Sequence, residues 1–357
     1  MTIMIKVCGY FPAIRQDLQQ YAYSDKRQPS FAMSSQTETR QVARELPKPL
    51  DQLPVDELER KRQITTVTTR ALRCLTEKFT TAGFQWMLPV IFSKSTDPLW
   101  PDPGASIEKR IEVDVYGETM WTTLSMIIHK LVACSLLHPK LFILSPNVRV
   151  EKRERKSTGW HIYEFTQLDF EVRSASSKDI MQLCEVILRD MIEDLSANCS
   201  QTLGSLRNGK LKVRTTPFEV FDRDELVAKY GEQWESILPL EIEDPVWVTG
   251  IPREFYDYQD LQTEKWDNYD LYLPRYGEVL SGARREWEYE KILTKMQRDG
   301  VMKENYTLLL RLAREGRLMP SAGAGIGVER LVSWIVGARH IGEVQPFPKI
   351  PGTVYDL

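Results

Sequence analysis

The segment WHIYEFTQLDFEVRS, Trp160 to Ser174, alternates with a two-residue period, and only a two-faced strand satisfies that pattern. Ile162, Glu164, Thr166, Leu168, Phe170 and Val172 share one face; Tyr163, Phe165, Gln167, Asp169 and Glu171 share the other. A second β-rich run, KLFILSPNVRVEKRER, precedes it, with the charged stretch Glu151 to Gly159 between them. IEVDVYG and ETMWTTL alternate like a hairpin, and DLYLP and GEVLSG are strand-like. FQWMLPVIF reads as an apolar strand broken by Pro89, at an edge or interface.

Helices are interspersed among these strands. Ile64, Val67, Ala71, Leu75 and Phe79 recur at three- and four-residue spacings, one apolar stripe on a long helix stopped by Gly83. SMIIHKLVACSLL is helical, and SKDIMQLCEVILRDMIEDLSANC is a helix with Ser177 as N-cap. Shorter helices are predicted near Arg223–Tyr230, before Gly300 and before Gly316. GAGIGVERLVSWIVGA runs from a glycine-rich strand into a helix. The order is not a regular βαβ alternation, so the expected class is α+β, one central antiparallel sheet flanked by helices. Residues 1–54 are polar and weakly patterned and read as a mobile N-terminal extension; residues 55–357 read as the folded domain.

Composition narrows the partners. With 47 basic and 50 acidic residues the formal charge is −3, without the basic excess of a dedicated nucleic-acid binder. Five scattered cysteines, Cys8, Cys74, Cys134, Cys184 and Cys199, form no C-x-x-C pair and suit neither a zinc ribbon nor a disulfide framework. The sequence holds no apolar run long enough to cross a membrane and no secretory signal pattern, so a cytoplasmic protein is expected.

Two segments carry chemistry. Arg149 and Glu151, two apart on a strand, point the same way, and His161, Glu164 and Phe165 lie on the returning strand. A guanidinium, a carboxylate, an imidazole and an aromatic ring gathered there can bind ATP. Taken alone, the same residues also read as a surface hairpin with charged cross-strand pairs. In GAGIGVER the alternate glycines let a backbone approach a flat ring or a phosphate, with Glu329 and Arg330 at the following helix start.

Together these segments resemble motifs 2 and 3 of the class II aminoacyl-tRNA synthetases of the aspartyl/asparaginyl group. The first motif is Arg-x-Glu, a loop, then His-x-x-Glu-Phe, here Arg149, Glu151, His161, Glu164 and Phe165. The second is Gly-x-Gly-x-Glu-Arg, here Gly325, Gly327, Glu329 and Arg330. Residues 55–89, ending at Pro89, resemble motif 1. LSMIIHK resembles a substrate-binding helix start and gives Ser125 and Lys130; GEVLSGARR resembles the metal and substrate strand and gives Glu278 and Arg285, with Asp270 upstream. The resemblance spans residues 55 to 357 in order and sharpens, through LPVIFSKSTDPLWPDPG, LDFEVRSA, IPREFYD and REWEYEKI, to the archaeal-type asparagine synthetase family. That family lacks the anticodon-binding barrel and makes asparagine from aspartate, ATP and ammonia.

The resemblance implies adenylation. Arg149 would stabilise the α-phosphate; His161 and Arg330 would hold the γ-phosphate. Glu151 and Phe165 would take the adenine, and Glu164, Gly325, Gly327 and Glu329 complete the ATP site. Ser125, Lys130, Gln167 and Arg285 would hold the amino acid, and Mg²⁺ would bind Asp270 and Glu278. Two fixed cations, Lys130 and Arg285, favour aspartate over asparagine. The acceptor would be ammonia, or another amine in a biosynthetic pathway; the alternatives are a stand-alone aspartyl/asparaginyl-tRNA ligase paralogue and a non-catalytic regulator. A homodimer through motif 1, with Trp86, Leu88 and Pro89 at the interface, is implied, and tRNA binding is not expected. Two departures stand out: Asp270 precedes Glu278 by eight residues where seven is expected, and SGARRE stands where SGGERE is expected.

Overall fold

The long helix α1 (Val55–Thr81) buries Ile64, Val67, Ala71, Leu75 and Phe79, the stripe read from the sequence, with Cys74 beside it. It stops at Ala82, and Gly83 follows with φ of 84°, a left-handed conformation that glycine adopts without steric cost. The computed structural model describes residues 46–98, 107–207, 209–213 and 216–356. Most of the predicted N-terminal extension and Cys8 lie outside them. Of that extension, Leu46 packs beside Ile162, Ile341 and Ile350, and the Tyr355 hydroxyl donates to the Pro47 carbonyl at 2.7 Å.

An eight-stranded sheet forms the centre. Its strands in chain order are β1 (Gln85–Trp86), β2 (Lys140–Val148), β3 (Glu164–Arg173), β4 (Glu219–Asp222), β5 (Val246–Thr249), β6 (Asn268–Leu273), β7 (Gly277–Arg284) and β8 (Ser321–Gly327). They lie in the order β1-β2-β3-β8-β7-β6-β5-β4. Only the edge pairs β1–β2 and β5–β4 are parallel; the rest are antiparallel, as expected for this α+β chain. The hairpin read in residues 111–124 forms, pairing Glu112–Val115 with Glu118–Thr122.

Alternation on β3 sorts the two faces. Leu168 and Phe170 point to the back, into a core with Phe79, Phe84 and Phe142. There Phe79 sits 4.9 Å from the Phe170 ring and 5.5 Å from the Phe142 ring, close enough for aromatic packing. Helix α1, helix α3 (Ser177–Asn198) and helix α6 (Val328–Val336) cover this side. The front carries helix α2 (Ile127–Leu136), whose Ile127, Ile128 and Leu131 pack with α4 (Tyr289–Arg298) and α5 (Thr307–Arg314).

Two local expectations are corrected. The N-cap of α3 is Ser176, not Ser177: its hydroxyl accepts from the Asp179 amide while Asp179 bonds back, a reciprocal capping box. FQWMLPVIF is not one strand; only Gln85–Trp86 and Phe92–Ser93 are extended in ladders, because Pro89 interrupts the segment. Trp86, Leu88, Ile91 and Phe92 are left exposed.

Candidate active site

Cross-strand register builds the front of the sheet. Asp169 on β3 lies opposite Gly325 on β8, Gly325 opposite Ser281 on β7, and Ser281 opposite Asp270 on β6. Directly opposed residues share a face, so these four form one row. In the neighbouring rows Glu171 faces Gly323, and Gln167 faces Gly327. The glycines are steric requirements. A methyl group on Gly325 would overlap Gln167 Nε2 and lie 2.6 Å from Gln167 Cδ and 2.9 Å from Asp169 Oδ1. One on Gly323 would overlap the Phe170 carbonyl oxygen and approach Glu171 Cδ to 2.7 Å. The glycine strand is therefore a trough over which the polar side chains of β3 lean.

The floor of the trough is ionic and buried. Lys130 of α2 donates to Asp169 Oδ1 at 3.0 Å and to the Ala324 carbonyl at 3.1 Å, with Glu171 Oε2 at 3.8 Å. Arg285 donates to Asp257, to Glu171 Oε1 at 3.4 Å and to the Gly323 carbonyl at 3.0 Å. Ser321 donates to Glu171 Oε1 at 2.8 Å, and Ser125 Oγ accepts from the Ile127 amide at 3.2 Å at the start of α2. Lys130, Asp169, Glu171, Asp257 and Arg285 are each no more than 4% exposed. The structure thus brings Lys130, Gln167 and Arg285 to the front of the sheet, with Ser125 at the start of α2. It also adds Asp169, Glu171 and Asp257, so the two cations face three carboxylates. The charge argument for a second substrate carboxylate does not survive, because Lys130 and Arg285 are already neutralised.

The other end of the trough carries the Arg149 residues. The Arg149 amide donates to the Tyr163 carbonyl at 2.8 Å and its Nε to the Leu124 carbonyl at 3.0 Å. Its guanidinium lies over the Phe165 ring, 5.1 Å from the centroid. Glu151 is buried, and its Oε2 has no hydrogen-bond partner, an acceptor suited to a ligand's N–H. Glu164, at the start of β3, is exposed. Arg330 donates to the Glu278 carbonyl and, at 3.5 Å, to the Trp160 carbonyl. Arg149 directly follows the last residue of β2, and β2 and the Gly325 strand β8 are two members of one sheet with only β3 between them.

Two residues have other partners than sequence reading gave them. His161 Nε2 is 2.9 Å from Arg155 Nη1, and Nδ1 is 2.7 Å from Thr158 Oγ1. A guanidinium only donates, so Nε2 accepts and Nδ1 carries the proton. Burial, then Arg330 and Arg155, push the imidazole down to about 3. His161 is therefore neutral in the free protein and accepts a hydrogen bond from Arg155. Glu329 accepts the Thr166 amide on both oxygens, at 2.9 and 3.0 Å, and so ties α6 to β3; burial lifts it to about 7.

Residues 59–351 match the family model described as tRNA synthetases class II (D, K and N). The chain belongs to that class II family. Its core is that of an ATP-dependent ligase. Among solved structures it is similar to the asparaginyl-tRNA synthetase of Pyrococcus horikoshii complexed with asparaginyl-adenylate, at 24% identity and a TM-score of 0.73, covering 83% of this chain and 70% of that one. The asparaginyl-tRNA synthetase of Entamoeba histolytica with asparaginyl-adenylate gives 21%, 0.72, 82% and 68%. The aspartyl-tRNA synthetase of the same organism gives 19%, 0.65, 82% and 59%. At these identities the likeness establishes the fold.

The strand register accounts for the eight-residue spacing from Asp270 to Glu278. In the β6–β7 hairpin Leu271 faces Leu280 and Tyr272 faces Glu278, so Val279 is a β-bulge. The extra residue is absorbed there, and Glu278 stays on the face of Asp270 and Ser281. Burial, reinforced by Glu278, lifts Asp270 to about 7, while Arg253, which pairs with it at 2.5 Å, opposes the shift. Asp270 Oδ1 is buried without a hydrogen-bond partner. Among the described residues no group of three or more His, Cys, Asp or Glu is placed to hold a metal. Two carboxylates and the Ser281 hydroxyl on one face fit a Mg²⁺ ion that takes its remaining ligands from phosphates and water. No helix of the described residues is long and apolar enough to cross a membrane.

Sequence reading missed Arg155, Asp169, Glu171, Arg253, Asp257 and Ser281. Asp169 and Glu171 were legible as acidic residues in the interior of a strand; Arg253 and Asp257 stood in the IPREFYD segment, where nothing showed their partners Asp270 and Arg285.

Proposed function

We propose that the chain uses ATP to form the adenylate of a four-carbon amino acid, aspartate or asparagine. With aspartate, we propose transfer of the acyl group to ammonia, giving asparagine, AMP and pyrophosphate. The supporting observation is the buried Lys130–Asp169 pair on the trough floor. A zwitterion can exchange into such a pair: its ammonium takes Asp169 and its carboxylate takes Lys130, so both charges stay compensated. An apolar or singly charged ligand cannot make that exchange.

In this reading Arg149 neutralises charge that develops at the α-phosphate, and Arg330 holds the far end of the triphosphate. Glu151 accepts from the adenine amino group, and Phe165 supplies the ring face that Arg149 covers in the free protein. Asp270 and Glu278 would hold Mg²⁺, which supplies charge neutralisation of the phosphates when bound. Burial of the floor keeps water from the acyl-adenylate, a mixed anhydride. A homodimer through the Trp86–Phe92 segment is part of the proposal, supported by Leu88 at 84% exposure and Trp86 at 53%.

A second reading, charging of a tRNA, is favoured by the solved relatives, which carry the names of tRNA synthetases. One set of assays separates the two. Pyrophosphate exchange is measured with aspartate and with asparagine, followed by mass spectrometry of products with ammonium or with tRNA. Asparagine formed from aspartate and ammonium supports the first reading. Aminoacyl-tRNA without asparagine supports the second. No exchange with either amino acid, while the protein is folded, refutes adenylation.

A further inference from the structure

The front of β2 changes character along its length. Leu141 and Ile143 are apolar, but Ser145 and Asn147 are polar, and both are completely buried. They lie where β2 passes the ligand-facing residues of β3: Ile143 opposes Asp169, Ser145 opposes Gln167 and Asn147 opposes Phe165. Buried polar groups without a task are costly, so their hydrogen bonds decide what they do. Ser145 Oγ is 3.0 Å from Asp169 Oδ2. Asn147 Nδ2 is 3.4 Å from Ser145 Oγ and 3.0 Å from Gln167 Oε1.

The direction of each bond follows from the ion pair. Asp169 is paired with Lys130 and accepts only. The other group facing the hydroxyl, the Gln167 backbone carbonyl at 3.4 Å, also only accepts, so the single Ser145 proton goes toward these two acceptors, with Asp169 the nearer, and Ser145 Oγ is left to accept from Asn147. Asn147 must then turn its NH₂ toward Ser145, which presents the same NH₂ to Gln167. Gln167 can answer only with its carbonyl oxygen. Its own NH₂ group is thereby fixed on the side of Gly325, over the trough. Without this relay the Gln167 amide could present either end at similar energy.

We infer that Ser145 and Asn147 are positioning residues that set the amide of Gln167, so that the site offers an N–H donor to a carboxylate or acyl oxygen of the amino acid. The inference rests on the adenylation reading above and assigns the recognition of one oxygen to a relay that begins at Lys130. It acts on the amino acid and not on the nucleotide.

The test uses the full chain, with pyrophosphate exchange and calorimetric binding of aspartate and asparagine. The variants are Asn147→Leu, which removes the orienting group without adding charge, and Ser145→Ala, with Ser145→Thr as the conservative control. The expected result is a roughly tenfold rise in the KM or Kd of the amino acid that wild type uses, with the ATP KM within twofold. Ser145→Thr should keep the wild-type value. In a Gln167→Met background, Asn147→Leu should have no further effect on the amino acid, since it acts through Gln167. An unchanged amino-acid KM in folded Asn147→Leu and Ser145→Ala, or equal losses for both substrates, overturns the inference while leaving adenylation standing. A wild-type protein that neither exchanges nor binds either amino acid overturns both.

Discussion

Replacing Gly325 by alanine tests the trough directly. The added carbon overlaps Gln167 Nε2 and lies 2.6 Å from Gln167 Cδ and 2.9 Å from Asp169 Oδ1. The obstructing atoms belong to the end of a flexible side chain, so Gln167 can swing away, at the cost of its 3.0 Å bond from Asn147. Overpacking plus one lost buried hydrogen bond together destabilise by about 1–3 kcal/mol. Loss of a hydrogen bond to a charged substrate group costs about 1.5–3 kcal/mol, roughly 10- to 150-fold in kcat/KM for the amino acid. Gly323→Ala is the contrast. Its methyl meets the Phe170 carbonyl of the backbone as well as Glu171, and the backbone cannot swing aside. The expectation is a folded Gly325→Ala with selectively impaired amino-acid use, and a Gly323→Ala that is the less stable of the two by urea denaturation. Pyrophosphate exchange titrated separately in amino acid and ATP supplies the activity readout. A Gly325→Ala protein with wild-type amino-acid kinetics would refute the account of why glycine stands there.

Other outcomes follow from the same structure. Arg149→Ala should lower the exchange rate by about 10²–10³ with little change in stability, because its contacts are to one carbonyl and one ring; exchange kinetics beside a thermal melt check this. Glu329 is held at about 7, above the usual carboxylate value, so the folded state binds the proton more tightly. Its contribution is fully present below the ordinary glutamate range and is lost as pH rises toward 7. Relative to wild type, Glu329→Gln should therefore gain stability between pH 4.5 and 7, by about 1–3 kcal/mol in denaturant titrations, and a constant difference would count against the assignment. Phe79→Ala, which empties the junction of Phe84, Phe142 and Phe170, should cost about 3–5 kcal/mol in chemical denaturation.

Periodicity made the long elements readable. The α1 stripe and the two faces of β3 emerge as the sequence implies, because burial on one side is the strongest constraint on such segments. Of the residues singled out by the class II motifs, Arg149 and Phe165 meet in the structure, guanidinium over ring. What stayed hidden was partner choice across the sheet. Nothing near Lys130 in the chain announces Asp169, and nothing near Arg285 announces Asp257; the first pair exists only once α2 packs on β3, and the second only where residues 257 and 285 meet in an isolated bridge. The charge argument for aspartate failed for that reason: it counted the cations and not the carboxylates that fold against them. In the charged stretch after Glu151, Arg155 turns inward to His161, a contact that depends on the 3₁₀ turn at Arg153–Thr158.

The bulge at Val279 changes how the β6–β7 hairpin must be counted. Along an uninterrupted ribbon, odd and even positions separate the two surfaces, and parity alone tells where a side chain lands. Here parity is broken once. Had the additional residue been taken up at the turn, Glu278 would oppose Leu273 and emerge among the aliphatic groups behind the sheet. Because it is taken up at Val279, which is itself buried, the carboxylate keeps its station opposite Tyr272. A chain one residue shorter at that point would hold the same pair of acids, so insertion length in this hairpin is a poor guide to whether a cation site has been lost.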